Sequence, residues 1–239
     1  MMKWVRKFHK WASIVVGIQF LVWLVSGIYF NLMDTTKAFG RTYKAHINVE
    51  SRLDRESLVD PSIVLLKYQP SVSLELIKML GHPFYQLTHE KALYSHFKNK
   101  YTLVDAYTGK AFLIDELVAA KIAELSYNGP GKISKVIMLD SFISDYPKQQ
   151  NPAWQIYFDD VIDTIVYVEA NSGRIIGHSD EHKRFADIFF MLHFMDYGNN
   201  GSFNNIQNVF FAIAALWLAL SGFIWSIHLG LKGKYNIRH

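Results

Sequence analysis

The chain has 239 residues, 50% of them hydrophobic and 15% aromatic, with a formal net charge of +4 and no cysteine. This is too apolar for a disordered segment, and the lack of thiols excludes disulfide frameworks, thiolate nucleophiles and cysteine-ligated iron–sulfur clusters. The excess positive charge lies at the ends, with Lys3, Arg6, Lys7 and Lys10 at one and Lys232, Lys234 and Arg238 at the other. Basic clusters beside apolar spans follow the positive-inside rule, so no nucleic acid is expected as a partner.

Two stretches, Trp11 to Phe30 and Ile206 to Ile227, contain no charged residue. Each has about the ~20 residues that a helix needs to cross the hydrocarbon core of a bilayer. The first ends in Ser26-Gly27-Ile28-Tyr29-Phe30, bulky where a signal-peptide cleavage site needs small residues, so it reads as an uncleaved anchor. The lipid bilayer is thus the first expected partner. Both termini are expected in the cytoplasm and the segment between the spans outside, long enough to form its own core.

Along that segment the expected elements are a helix over Ser73 to Leu80, strands over Phe84 to Thr88, Leu93 to Phe97 and Tyr101 to Val104, and a short strand over Ala111 to Ile114. Asp115 to Leu125 reads as a helix, because Leu117, Val118, Ile122 and Leu125 recur at helical spacing. Strands are then expected over Val136 to Leu139, Trp154 to Phe158, Thr164 to Val168 and Ile175 to Ile176. The aromatic run from Phe185 to Met195 has the character of a segment dipping into the outer leaflet.

An internal repeat runs through this pattern. Val104-Asp105-Ala106-Tyr107-Thr108-Gly109-Lys110 returns as Val168-Glu169-Ala170-Asn171-Ser172-Gly173-Arg174, matched at each position in size or charge. In both copies a β-rich run enters a turn whose glycine is free to take φ > 0. Each repeat therefore reads as one helix against a small antiparallel sheet.

A helix followed by strands ending in such a turn resembles the PepSY domain. The run Arg6-Lys7-Phe8-His9-Lys10-Trp11 leading into an apolar helix with Ser26-Gly27 resembles the first helix of the PepSY-associated transmembrane family. Leu192-His193, and Ser221-Gly222 within the second span, resemble its closing helix. The expected fold is therefore two transmembrane α-helices plus an extracytoplasmic α+β domain of two PepSY-like repeats. Its divisions are residues 1–33 (cytoplasmic N-terminus and first span), 34–114 and 115–182 (the repeats), 183–228 (interfacial helix and second span) and 229–239 (cytoplasmic tail). The resemblance implies a bacterial inner-membrane protein with a periplasmic domain.

Ten histidines are the only soft-ligand candidates. His9 precedes the first span and His228 follows the second, so two antiparallel helices bring them to one membrane face. Contacting helices lie ~8–10 Å apart, a spacing that suits two imidazoles on one haem iron; the competing reading is a pair of interfacial side chains. His193, in an apolar run, needs a polar partner. His46 is the candidate counterpart on the outer side, and His193 also carries the Leu-His resemblance. Mid-span Gln19 is expected to bond across a helix interface. The glycines and serines of the spans read as packing features, allowing close helix approach or room for a flat ring. His82, His89 and His96, and the His178/His182 pair, read as solvated surface.

There is no G-x-S-x-G, H-E-x-x-H, P-loop or G-x-G-x-x-G fingerprint. Two functional classes follow. One is a haem-b electron carrier with one or two haems, on His9 and His228 inside and on His193 with His46 outside; the resemblance implies an iron or siderophore reductase component with a ferric chelate as acceptor. A homodimer or a membrane redox partner would complete it. The other is a cofactor-free PepSY module, tethered to the membrane and binding or regulating a periplasmic peptide, peptidase or partner protein through exposed sheet edges.

Overall fold

The structure, a computed structural model, describes residues 2–46, 53–140 and 142–233. Lys234, Arg238 and His239 of the basic tail lie outside the described residues. The chain divides into a helical unit, comprising the residues up to Met33 and those from Ile188 on, and a sheet unit, Asp34–Asp187.

The helical unit is built on α1 (Met2–Leu32) and α6 (Ile206–Leu231), joined by the last turns of α5 (Glu181–Phe194). His9–Leu32 and Ile206–Leu231 are 24 and 26 residues long with a mean hydropathy of 2.0 each, long and apolar enough to cross a membrane. Their outward residues, Leu21, Leu24, Ile213 and Phe223 among them, are exposed within the chain. An apolar surface of this extent marks a lipid or partner interface. The two long helices run antiparallel, Trp23 meeting Phe211 at a ring distance of 5.3 Å near one end and His9 lying 6.0 Å from Trp217 near the other. Asn205 starts α6, its Oδ1 accepting the Asn208 N–H at 2.7 Å, which satisfies one of the helix's unpaired amides. Of the two readings of Gly17, Gly27 and Gly222, close helix approach or open room, the structure shows open room: a Cβ added at any of the three meets nothing within 4 Å among the described residues.

The sheet unit contains two four-stranded antiparallel meanders. The first is β1 (Ser73–Met79), β2 (His82–Glu90), β3 (Lys100–Asp105) and β4 (Ala111–Phe112); the second is β5 (Ile133–Leu139), β6 (Ala153–Phe158), β7 (Ile165–Glu169) and β8 (Ile175–Ser179). Between them runs α4 (Glu116–Ser126), with Asp115 as its cap accepting the Val118 N–H at 2.9 Å. Ala119, Ile122 and Ala123 of α4 share one core with Phe84 and Leu103 of the first sheet and Ile156, Val166 and Val168 of the second. Two smaller clusters lie apart from this core. Val64 of α3 (Pro61–Lys67) packs on Tyr85, Leu87 and Val104, and Ile143 packs on Ala153 and Tyr167. A short α2 (Thr35–Ala38) opens the unit.

The duplicated turns have the same backbone. Gly109 donates to the Asp105 carbonyl and Gly173 to that of Glu169, both at 2.9 Å, with φ of +65° and +70° at the two glycines. Two expectations fail here. Ser73 to Leu80 is not a helix but strand β1, paired with β2 from Ser73↔Thr88 to Met79↔His82. The reason is the connection: Leu80 and Gly81 take φ of 54° and 79°, the two left-handed residues of a tight hairpin turn, and leucine at the first of them gives no sequence signal. The helix of the first repeat is α3, earlier in the chain. Leu93 to Phe97 is likewise not a strand. It is a loop wound on buried Asn99, whose amide donates to the Phe97 carbonyl at 2.7 Å and whose Oδ1 accepts from Ala92 N–H at 2.9 Å.

Candidate functional site

The best-organised polar cluster of the helical unit surrounds the end of α5. A helix leaves its last four carbonyls without intrahelical partners, and in an apolar layer each unpaired one is costly. All four are satisfied here. Met195 turns into the left-handed region at φ 53°, and the Asp196 N–H bonds back to the Met191 carbonyl at 3.0 Å, the closing bond of a Schellman end. Side chains take the other three: Gln19 Nε2 donates to the Leu192 carbonyl at 3.3 Å, Trp23 Nε1 to that of His193 at 2.7 Å, and Asn205 Nδ2 to that of Phe194 at 2.8 Å. Gln19 thus bonds across a helix interface. Stacking of Tyr29 on Phe189 at 3.9 Å and of Phe30 on Phe190 at 4.7 Å adds the apolar part of the contact.

This joint fixes the ring of His193. Its Nδ1 lies 2.8 Å from Ser26 Oγ, and that hydroxyl lies 2.7 Å from the Val22 carbonyl one turn back in α1. A hydroxyl has one proton. Given to Val22, it leaves Oγ as the acceptor of an Nδ1–H and assigns the His193 lone pair to Nε2. That atom has no hydrogen-bond partner among the described residues, and the aromatic rings of Trp23, Phe30 and Phe194 lie around the imidazole at centroid distances of 6.4, 5.0 and 5.1 Å.

The same device recurs at the other end of α1. His9 Nδ1 lies 3.3 Å from Ser221 Oγ, which donates to the Leu218 carbonyl at 3.0 Å. His9 is half-buried beside Trp217, and its Nε2 too has no partner among the described residues. From His9 to Ser26 is about 25 Å of helix rise. Two imidazoles of like arrangement therefore stand near the two ends of one apolar helix. A second-sphere hydrogen bond on one ring nitrogen, with the other left as a lone pair, is the arrangement that metal-ligating histidines use. With aromatic surroundings it would suit an iron ligand, and among the described residues no carboxylate is hydrogen-bonded to either ring.

The other expected site residues lie elsewhere. His228 is exposed on α6, its ring 6.3 Å from Trp225. It stands two turns beyond Ser221, ~10 Å of rise, so His9 meets Ser221 and not His228. His46 is exposed in the sheet unit. Among the described residues no group of three or more His, Cys, Asp or Glu forms a metal cluster. His178 and His182 are not on one helix, the first lying in β8 and the second in α5. Nor is His178 solvated: it is 3% exposed, its Nε2 is 3.0 Å from Ser126 Oγ, and burial, helped by the charge of Lys44, pushes its imidazole down to about 4. His89 is tied by its two ring nitrogens to the Pro70 carbonyl and to Thr102 Oγ1.

Ser26 and Ser221 are the residues that sequence reasoning undervalued, as packing positions. A signal was present for Ser221, which stands opposite His9 once the spans are paired antiparallel; Ser26 meets His193 of α5, outside both spans, and no such signal pointed to it. Compared with known proteins, the chain matches no protein family, no curated protein and no solved structure.

Proposed function

We propose that the chain is a bacterial inner-membrane haem-b protein, crossing the bilayer with α1 and α6, its termini in the cytoplasm and its sheet unit in the periplasm, and passing electrons outward. The observation that carries this reading is the pair of imidazoles His9 and His193, each with Nδ1 within hydrogen-bond distance of a helix serine, an arrangement that would leave Nε2 free to ligate. Haem b bound there would supply a one-electron ferric/ferrous couple at each end of the span.

Each part of the chain has a task in this scheme. Ser26 and Ser221 hold the tautomer. Trp23, Phe30 and Trp217 exclude water from the rings, and the closed carbonyl set at the end of α5 keeps His193 in place. His9 and His193 would each hold one haem iron, and a second chain, a homodimer mate or a membrane redox subunit, would supply the remaining ligand. The resemblance to the PepSY-associated transmembrane family supports a ferric chelate as the outer acceptor, which makes the chain an iron or siderophore reductase component.

The test is an oxidised and a dithionite-reduced absorption spectrum of detergent-purified protein expressed with ample haem, with a pyridine haemochrome assay for stoichiometry. A Soret band that sharpens on reduction, and that loses part of its intensity in His193→Ala and part in His9→Ala, supports the reading. A colourless protein, or full haem content in both variants, overturns it and leaves the cofactor-free binding module.

A further inference from the structure

The duplicated turns of the sheet unit supply an internal comparison. In the first copy Asp105 is fully engaged: Oδ1 accepts the Tyr107 and Thr108 N–H groups at 3.0 and 2.8 Å, and Oδ2 meets His82 Nε2 at 2.7 Å. In the second copy Glu169 stands at the same place, one methylene longer, with its side chain 0% exposed. It caps no turn amide; Ser172 Oγ accepts the Arg174 N–H instead, at 3.3 Å. Its Oε2 accepts from Ser172 Oγ at 2.8 Å and from Arg174 Nε at 3.1 Å. Its Oε1 is buried and has no partner among the described residues. A buried carboxylate oxygen without a donor is costly, and the second turn does not need it, because Ser172 Oγ takes the turn amide in its place.

Glu169 borders a cavity of about 260 Å³ whose walls include Glu75 of β1, Tyr101 of β3, Lys91 and Arg174. That is below the 300–1,000 Å³ of sites for drug-sized ligands, so the occupant is a smaller molecule. Two carboxylates and two cations face this space, and Glu75 and Lys91 form no ion pair among the described residues. Burial, with the charge of Glu169, pushes the Tyr101 phenol upward. The rim is preorganised: Asn99 holds the loop carrying Lys91 and ties it to the second meander, its N–H bonding Asn151 Oδ1 at 2.8 Å, which lowers the cost of binding.

We infer that this cavity binds a small zwitterion of the amino-acid class, its ammonium group donating to Glu169 Oε1 and Glu75 and its carboxylate held by Lys91 and Arg174. Both ligand charges are needed, because Glu169 and Arg174 already pair through Oε2 and Nε, while Glu75 and Lys91, of opposite sign, have no ion pair among the described residues, and a lone cation or anion would answer only one of them.

The experiment is isothermal titration of the full chain in detergent with glycine, L-alanine and glycylglycine, and with methylammonium and acetate as single-charge probes. Saturable binding of glycine, alanine or the dipeptide is expected, weakened about tenfold or more in Glu169→Gln and in Lys91→Gln, as the loss of one charged hydrogen bond predicts. Lys91 is exposed, so its variant keeps the fold, and circular dichroism checks Glu169→Gln. Absence of saturable binding by all three zwitterions, or methylammonium binding as tightly as glycine, or unchanged affinity in Lys91→Gln, overturns the proposal.

Discussion

The burial of His178 makes the stability of the sheet unit depend on pH in a window where surface histidines have no such effect. The residue lies under Gly40, whose added Cβ would come within 2.4 Å of the His178 carbonyl oxygen, and its Nδ1 is buried without a partner among the described residues. In the folded chain burial holds the imidazole neutral down to about 4, against an ordinary value of 6.5. Between those two pH values the unfolded chain binds a proton that the folded chain refuses, so the stability contributed by neutral His178 is complete above pH 6.5 and falls as the pH drops towards 4. At about 1.36 kcal/mol per pH unit, the full loss is about 3 kcal/mol. Asp105 and Asp160 are held below their ordinary range although burial opposes this, by backbone hydrogen bonds and His82 for the first and by Tyr127 and Thr164 for the second, so they act at lower pH. Asp187, pushed up by burial, acts with the opposite sign. The comparison of wild type with His178→Gln cancels these groups. Trp154 is the one tryptophan between Asp34 and Asp187, so urea unfolding followed by fluorine NMR of 5-fluorotryptophan at Trp154 reports on this unit alone. The wild-type curve should lose stability from pH 6.5 to 4 relative to the variant. A flat difference, or a His178 ring proton that titrates near 6.5, would refute the reasoning.

Other outcomes follow from the same packing. Gly173→Ala is expected to cost more than Gly109→Ala: both strain a left-handed backbone by about 1–2 kcal/mol, but only at Gly173 does the new Cβ press on Met79 Sδ and Ile114 Cδ1, at 2.5 and 3.0 Å, adding about 1–3 kcal/mol of overpacking; thermal unfolding ranks the two. Leu103→Ala, at 1% exposure in the shared core, should cost about 3 kcal/mol in urea unfolding. Gln19→Leu removes the donor to the Leu192 carbonyl and should destabilise the helical unit by about 1 kcal/mol, read as earlier exchange of amides at the end of α5. On the haem reading, Ser26→Ala should weaken haem retention about tenfold or more while His193→Ala abolishes it at that site; equal retention in wild type and Ser26→Ala would remove the serine from the ligand's support.

What the sequence determined by itself were the features that rest on local chemistry. Absence of charge over some twenty residues marked α1 and α6, because no tertiary contact is needed to make a charge-free helix apolar. The spacing of Leu117, Val118, Ile122 and Leu125 marked α4, since a 3.6-residue period is a property of the helix itself. The two glycines with positive φ marked the duplicated turns. Tertiary structure decided the rest. Ser73 to Met79 becomes a strand because β2 is there to pair with it across Leu80 and Gly81. His178 is buried because β8 lies under Gly40 and against Ser126, neighbours far from it in the chain. His9 and His193 acquire their arrangement from Ser221 and Ser26, and Glu169 differs from Asp105 through the cavity beside it. A lone pair is directed, and a charge is buried, by atoms that only the folded chain brings within 3 Å or so.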